Sequence, residues 1–265
     1  MLLAVEVGNT NVKFGLFELT GAAAGTLVHT WRSVTDHRQT ADDMAASVDA
    51  MLRLNGVARS TIQRVAVASV VPPLYRALTG MAQQYFGCRP AFLSAARQHI
   101  LPVKTRHAAE LGADLIAGAI GAQVKYGAPA IVVQFGTATT FAAVNAESEY
   151  VGTAIAPGVE VSVDGLIGRA AKLMSVPLIR PERAIGTDTA ASLQSGIIFG
   201  FIGQVEYLVE RFREELGSRA RAIATGGLAD LIAPHTQVFH ARDERLVLDG
   251  LYQWAASAVR TELPA

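Results

Sequence analysis

The sequence predicts an α/β protein of two similar lobes, each a mixed β-sheet flanked by helices. Residues 3–15 (LAVEVGNTNVKFG) and 131–143 (IVVQFGTATTFAA) read almost alike. Each has an apolar run, a polar residue (Glu6, Gln134), one apolar residue, a glycine (Gly8, Gly136), small hydroxyl or amide residues, then another apolar run. Apolar runs joined by a short Gly and Asn/Thr turn form β-hairpins. The glycine lets backbone approach a ligand closely, and the amides and hydroxyls beside it are donors for phosphate oxygens. The second observation is that the elements after the first hairpin recur, in the same order, after the second. The third is bulk: 265 residues, 51% hydrophobic and 17% charged, suit two domains with substantial cores and argue against disorder.

In chain order, a strand follows the first hairpin over Val28–Val34, with His29, Trp31 and Ser33 on one side of its alternation. Thr40 caps the next helix, and Asp42 and Asp43 favour the positive end of its dipole. Met44, Val48, Met51 and Leu52 share one face at helical spacing. Residues 64–71 (RVAVASVV) read as a short buried strand, and Pro72 and Pro73 open the following helix. Residues 91–94 (AFLS) are a further strand, and residues 112–122 (GADLIAGAIGA) a small-residue helix that permits close backbone packing. The second half continues from its hairpin to a strand at 151–158 (VGTAIAPG) and a helix from about Val161 to Met174. A long amphipathic helix from about Ala190 to Leu216 carries Ile197, Phe201, Val205, Leu208 and Phe212 on its apolar side. Its charged residues Glu206, Glu210, Arg213 and Glu214 read as a solvated face. Residues 221–231 (RAIATGGLADL) combine strand, glycine turn and helix start, much as residues 65–74 (VAVASVVPPL) do in the first lobe. A terminal helix begins within residues 246–255 (LVLDGLYQWA). The predicted division is an N-terminal lobe over 1–120 and a C-terminal lobe over 121–265, meeting near residues 115–130.

Composition excludes several classes. Net charge is zero and the pI is about 7.0, so there is no electrostatic footprint for nucleic acid. No apolar run reaches the length of a membrane span, and the opening residues run into a strand pattern without a basic n-region or cleavage site. The single cysteine, Cys88, has no internal disulfide partner, which fits a reducing cytoplasm. The six histidines are scattered without a helical i, i+4 pair, so structural zinc is not expected.

Duplicated lobes that each open on a phosphate-type hairpin suggest the actin-like (ribonuclease H-like) fold, with a nucleotide cleft between the lobes. A single Rossmann unit is disfavoured because no Gly-x-Gly-x-x-Gly follows the first strand, and no Walker A sequence is present. Over nearly its whole length the chain resembles the type III pantothenate kinases, which use ATP to phosphorylate pantothenate to 4'-phosphopantothenate in the first step of coenzyme A biosynthesis. The resemblance is carried by VGNTN at 7–11, GAD at 112–114, FGTATTF at 135–141, GTAIAPG at 152–158, IGTDT at 185–189, SG at 195–196 and ATGGLA at 224–229.

It implies a set of roles. Glu6, Gly8, Asn9, Thr10, Asn11 and Lys13 would hold ATP from the first lobe, with Glu6 serving Mg2+ indirectly. Thr137 and Thr139 would hold phosphate from the second lobe, where Gly226 and Gly227 would pass close to the nucleotide. Asp114 would be the general base that takes the proton of the pantothenate hydroxyl. Thr105, Gly112, Ala113 and Leu115 would line the pantothenate site, and Thr189 would reach it from the neighbouring subunit of a homodimer. A monovalent cation, K+ or NH4+, would sit at Gln134. From the residues alone Asp114 has a second explanation, since an aspartate in the first turn of a helix stabilises the dipole.

The chain departs from the family's pattern at polar positions. Aspartate is expected where Glu6, Gln134 and Ala142 stand, arginine at Leu115, and tyrosine at Thr105. Glutamate keeps the charge but moves the carboxylate out by one methylene, and reactive geometry is sensitive to shifts of about 1 Å. Leu115 removes a cationic donor for an anionic substrate, and Gln134 removes the charge that draws in potassium. Lys13, Lys104 and Arg106 are the cations placed to compensate. Three readings follow: a homodimeric pantothenate kinase, a catalytically degenerate homologue that binds a ligand or regulates, and a kinase with an altered acceptor.

Overall fold

The computed structural model describes residues 1–19, 25–170 and 173–257. The chain divides into two compact units, Met1–Val124 together with the segment from Leu246 onward, and Lys125–Arg245.

In the first unit, β1 (Leu2–Val7), β2 (Asn11–Phe17), β3 (Leu27–Val34), β4 (Arg64–Ser69) and β5 (Ala91–Phe92) form a sheet in the order β3-β2-β1-β4-β5. β1, β2 and β3 are antiparallel neighbours, while β1, β4 and β5 run parallel. β1 is buried along its whole length, as a central strand covered on both faces must be. Its odd residues Leu3, Val5 and Val7 enter a core shared with Met44, Val48 and Leu52 of α1 (Ala41–Leu54) and Leu78 and Met81 of α2 (Tyr75–Phe86). By alternation, Leu2, Ala4 and Glu6 face the other way. Thr40 caps α1 as expected, in a reciprocal capping box with Asp43.

The opposite face is covered by α7 (Leu246–Ser257), which lies against β1, β2 and β4. A side chain on Gly15 of β2 would come 3.3 Å from Leu248 of α7. α3 (Ala113–Tyr126) crosses α7 so closely that a Cβ on Gly121 or Gly250 would strike the backbone of the other helix. The sequence division placed the terminal helix with the second lobe, but it packs on the first sheet. Its nearly continuous apolar surface (Leu246, Val247, Leu248, Leu251, Trp254) closes the face that α1 and α2 leave open.

The second unit repeats the plan. β6 (Ala130–Phe135), β7 (Ala138–Val144), β8 (Tyr150–Pro157), β9 (Arg221–Thr225) and β10 (Ala241–Arg242) form a sheet in the order β10-β9-β6-β7-β8, with the same pattern of directions. α4 (Val159–Ile167), the long α5 (Thr189–Leu216) and α6 (Ala229–Ile232) accompany it. Ile197 and Val205 of α5 are buried against Ile131, Val133 and Phe135 of β6, with Phe201, Leu208 and Phe212 packed beside them. α4 ends sooner than the helix expected to Met174, and Ala171 and Lys172 of that stretch lie outside the described residues. Asp243, after β10, is buried and accepts from Lys125 Nζ and Tyr126 Oη. Burial alone would push its carboxyl up, yet these two partners hold it below the usual range. Among the described residues no helix is long and apolar enough to cross a membrane.

Candidate functional site

The first unit gathers its charge at one end of β1. Glu6 and Lys13 are cross-strand partners in the β1–β2 hairpin, and Lys13 Nζ lies 3.3 and 3.4 Å from the two carboxylate oxygens. Glu6 is only 6% exposed. Burial holds its carboxyl above the usual carboxylate range; the Lys13 ammonium opposes that shift and the nearby Asp114 charge adds to it.

Beyond this pair the chain turns through Gly8, Asn9, Thr10 and Asn11, the last three exposed. Gly8 N–H donates to Asn11 O at 3.0 Å. Thr35, just past β3, holds the turn from the side: its N–H donates to Thr10 O at 2.9 Å and its hydroxyl to Gly8 O at 2.7 Å.

Asp114 stands in the first turn of α3, half-buried, with its Oδ1 accepting from Leu115 N–H at 2.9 Å. Gly112 makes room for that carboxylate, since a Cβ there would lie 2.6 Å from Asp114 Oδ1 and 3.4 Å from Val70. Val70 N–H in turn donates to Val7 O at 3.0 Å, joining the end of β4 to the start of the turn. Ala113 and Leu115 are buried, so Leu115 serves this site through its backbone. The hydroxyl of Thr105 is sealed from solvent without a hydrogen-bond partner.

The second unit's hairpin is built by backbone. Gly136 N–H donates to Ala138 O, and Gly158, just past β8, donates its N–H to Thr137 O, both at 3.0 Å. A Cβ on Gly158 would sit 2.8 Å from the Thr137 carbonyl carbon, so no side chain fits. Gly226 has φ +98° and crosses the end of β6, where a Cβ would be 2.7 Å from Phe135 N. Gly227 is exposed, with open space around its Cβ position. Thr137 is exposed at the turn. Thr139 is fully buried and in register with Phe135, and its hydroxyl is sealed from solvent without a hydrogen-bond partner. The phosphate role expected of its side chain does not suit that burial.

Gln134 stands in register with Thr140 on β7 and Thr225 on β9, so three uncharged polar side chains form a row on one sheet face. The hydroxyls of Thr140 and Thr225 are sealed from solvent without partners. Ala142 is buried on the same face of β7. Thr189 opens α5, exposed beside its cap Asp188, which accepts from Ala191 N–H at 2.8 Å. Cys88 is half-buried and burial pushes its thiol up, which suits packing rather than nucleophilic chemistry. No cluster of three or more His, Cys, Asp or Glu side chains exists among the described residues.

Sequence reasoning missed Thr35 and the row-mates of Gln134. Thr35 had a usable signal, since it directly follows the strand that pairs with β2. The row depends on strand order, which a single sequence does not display.

Twin sheets with hairpins at matching positions define the actin-like class of duplicated α/β folds. Solved structures agree on the fold. A conserved Baf family transcriptional activator from Campylobacter jejuni superposes with a TM-score of 0.60 at 17% identity, covering 97% of this chain and 99% of that one. The activator of 2-hydroxyisocaproyl-CoA dehydratase from Clostridium difficile, solved with bound ADPNP, gives 0.57 at 12% identity, covering 100% and 98%.

Within that class the assignment is specific. The type III pantothenate kinase family model matches residues 2–211. The type III pantothenate kinase of Moorella thermoacetica is 43% identical over 95% of this chain and 97% of its own. That of Geobacter sulfurreducens is 41% identical over 95% and 96%. The chain belongs to the type III pantothenate kinase family.

Proposed function

We propose that this protein transfers the terminal phosphoryl group of ATP to the primary hydroxyl of pantothenate, giving 4'-phosphopantothenate. The observation that carries the reading is the grouping, in one unit, of a glycine turn with exposed amide and hydroxyl residues, buried Glu6 paired with half-buried Lys13, and Asp114 seated in the space left by Gly112. Asp114 takes the hydroxyl proton, the general-base role. The Gly8–Asn11 turn and Lys13 hold phosphate oxygens in the first lobe, and Thr137 with the Gly136 turn does so in the second. Gly226, whose positive φ and close approach to Phe135 exclude a side chain, shapes the backbone beside that turn.

Glu6 fits a divalent metal. It is a buried carboxylate coupled to a second one, and Mg2+ takes one or two carboxylates together with water and phosphate. Glu6 would help to hold Mg2+, which would supply positive charge to neutralise the phosphates. Gln134 does not fit a monovalent cation in the same way, because its row offers neutral oxygens and no carboxylate. Turnover is therefore proposed to run without K+ or NH4+. The protein is taken to act in the cytoplasm as a homodimer, whose interface would cover exposed apolar residues of the second unit such as Ile155 of edge strand β8 and Val161 and Leu166 of α4.

Mass detection of phosphopantothenate from purified protein, ATP, Mg2+ and pantothenate tests the reading; many turnovers per site are expected. A second reading, a ligand-binding homologue without catalysis, is favoured by the neutral Gln134 row and by apolar Leu115. Folded protein that is stabilised by nucleotide yet forms no product beside an active control kinase would establish it. Product from a different alcohol would instead mark an altered acceptor.

A further inference from the structure

We propose that Thr35 is a positioning residue, a side-chain latch that aims the backbone donors of the first lobe's phosphate turn. The inference rests on the nucleotide reading above and adds a residue which that reading does not assign. Thr35 makes two bonds to one four-residue turn, N–H to Thr10 O at 2.9 Å and hydroxyl to Gly8 O at 2.7 Å. Peptide units are planar and trans, so fixing a carbonyl fixes the direction of the next residue's N–H, which points the opposite way. Tying Gly8 O toward β3 therefore turns Asn9 N–H away from β3. That N–H has no partner among the described residues. An unpaired amide held in a fixed direction is the form of donor that stabilises phosphate charge without reorganising.

The second unit shows which part of the latch is general. Gly158 occupies the equivalent place and makes the equivalent N–H bond, to Thr137 O. It has no side chain, and a Cβ there would crowd the turn. The backbone bond is common to both hairpins, whereas the hydroxyl bond belongs to the first lobe, where the charged pair stands.

The test compares wild type, Thr35→Val and Thr35→Ser in the full chain. Valine keeps the shape and the N–H but loses the hydroxyl; serine keeps both donors. For Thr35→Val, KM for ATP and the dissociation constant for Mg·ATP are expected to rise about tenfold, the scale of one lost hydrogen bond. KM for pantothenate should move less than twofold, and Thr35→Ser should restore ATP affinity. A merely structural role would lower thermal stability and the active fraction while leaving KM for ATP unchanged, and that result overturns the proposal. Amide hydrogen exchange over residues 6–14 without nucleotide gives a second reading. Faster exchange at the turn in Thr35→Val, but not in Thr35→Ser, supports the latch, and equal exchange in all three overturns it. Should wild type bind no nucleotide, the functional reading fails while the exchange result still decides the latch.

Discussion

One residue pair before its turn, the first hairpin places Glu6 opposite Lys13, and the second places Gln134 opposite Thr140. The strand order, the directions of pairing and the N–H bond that closes each turn from the third strand are otherwise the same. The turns differ in length: residues 8–11 separate the last paired residues in the first lobe, and residues 136–138 in the second. The duplication thus preserved a backbone plan and let the charge diverge. In the first lobe a buried acid, its cation and Asp114 supply electrostatics. In the second, Gly158 and Gly226 let backbone segments pack against the hairpin where a Cβ would clash with Thr137 and Phe135.

If chemistry depends on the charged lobe, Asp114→Asn should lower turnover by about 10²–10⁴-fold, the usual worth of a positioned base, with thermal stability nearly unchanged. Phosphopantothenate formation measured by mass checks this, and a variant within tenfold of wild type would move the base elsewhere. If the second lobe depends on backbone shape, Gly226→Ala should cost about 2–4 kcal/mol in urea unfolding, from positive φ and a clash with Phe135. Gly227→Ala, in open space, should stay within about 0.5 kcal/mol of wild type.

The sharpest probe gives the first hairpin the second's chemistry. Glu6→Gln with Lys13→Thr should weaken Mg·ATP binding by about 10–100-fold, a loss of roughly 1–3 kcal/mol, in titration calorimetry. It should also change the response to pH. Burial raises the Glu6 carboxyl, so above the ordinary carboxylate range the folded chain retains a proton that the unfolded chain has released. Wild-type stability from this group therefore falls as pH rises through that window, and the double variant should lack the decline between urea midpoints at pH 5 and pH 8. The smallest effect is expected from Gln134→Asp. Wild type should show the same nucleotide-dependent thermal shift in K+ and in choline buffer, while the variant should gain a K+-dependent increment of a few degrees. An unaltered K+ response in the variant would count against the neutral row as the cause.

The hairpins, most helices and the duplicated order were legible in the sequence because each rests on local pattern: glycine turns, alternation, the Thr40 cap. The placement of α7 was not, because an apolar helix does not say which sheet it covers. Asp114 and Gly112 were legible as parts of one motif, but the room that Gly112 leaves for the carboxylate emerges only in the fold. Thr139 misled because adjacent strand residues point to opposite faces, and which threonine turns inward depends on register. Aligning the two segments by sequence sets Lys13 against Phe141, whereas the shorter second turn makes Thr140 its counterpart.

Because α7 completes the first sheet, the two units differ in when they can finish folding during synthesis. Residues 1–124 leave the ribosome first, yet the face of β1 that carries Leu2, Ala4 and Glu6 waits for a helix that begins at Leu246. The whole of residues 125–245 emerges in between and is continuous, so the second unit can mature before the first. A nascent chain stalled ahead of residue 246 would hold a formed second unit beside an unfinished first sheet, an apolar surface of the kind that chaperones engage.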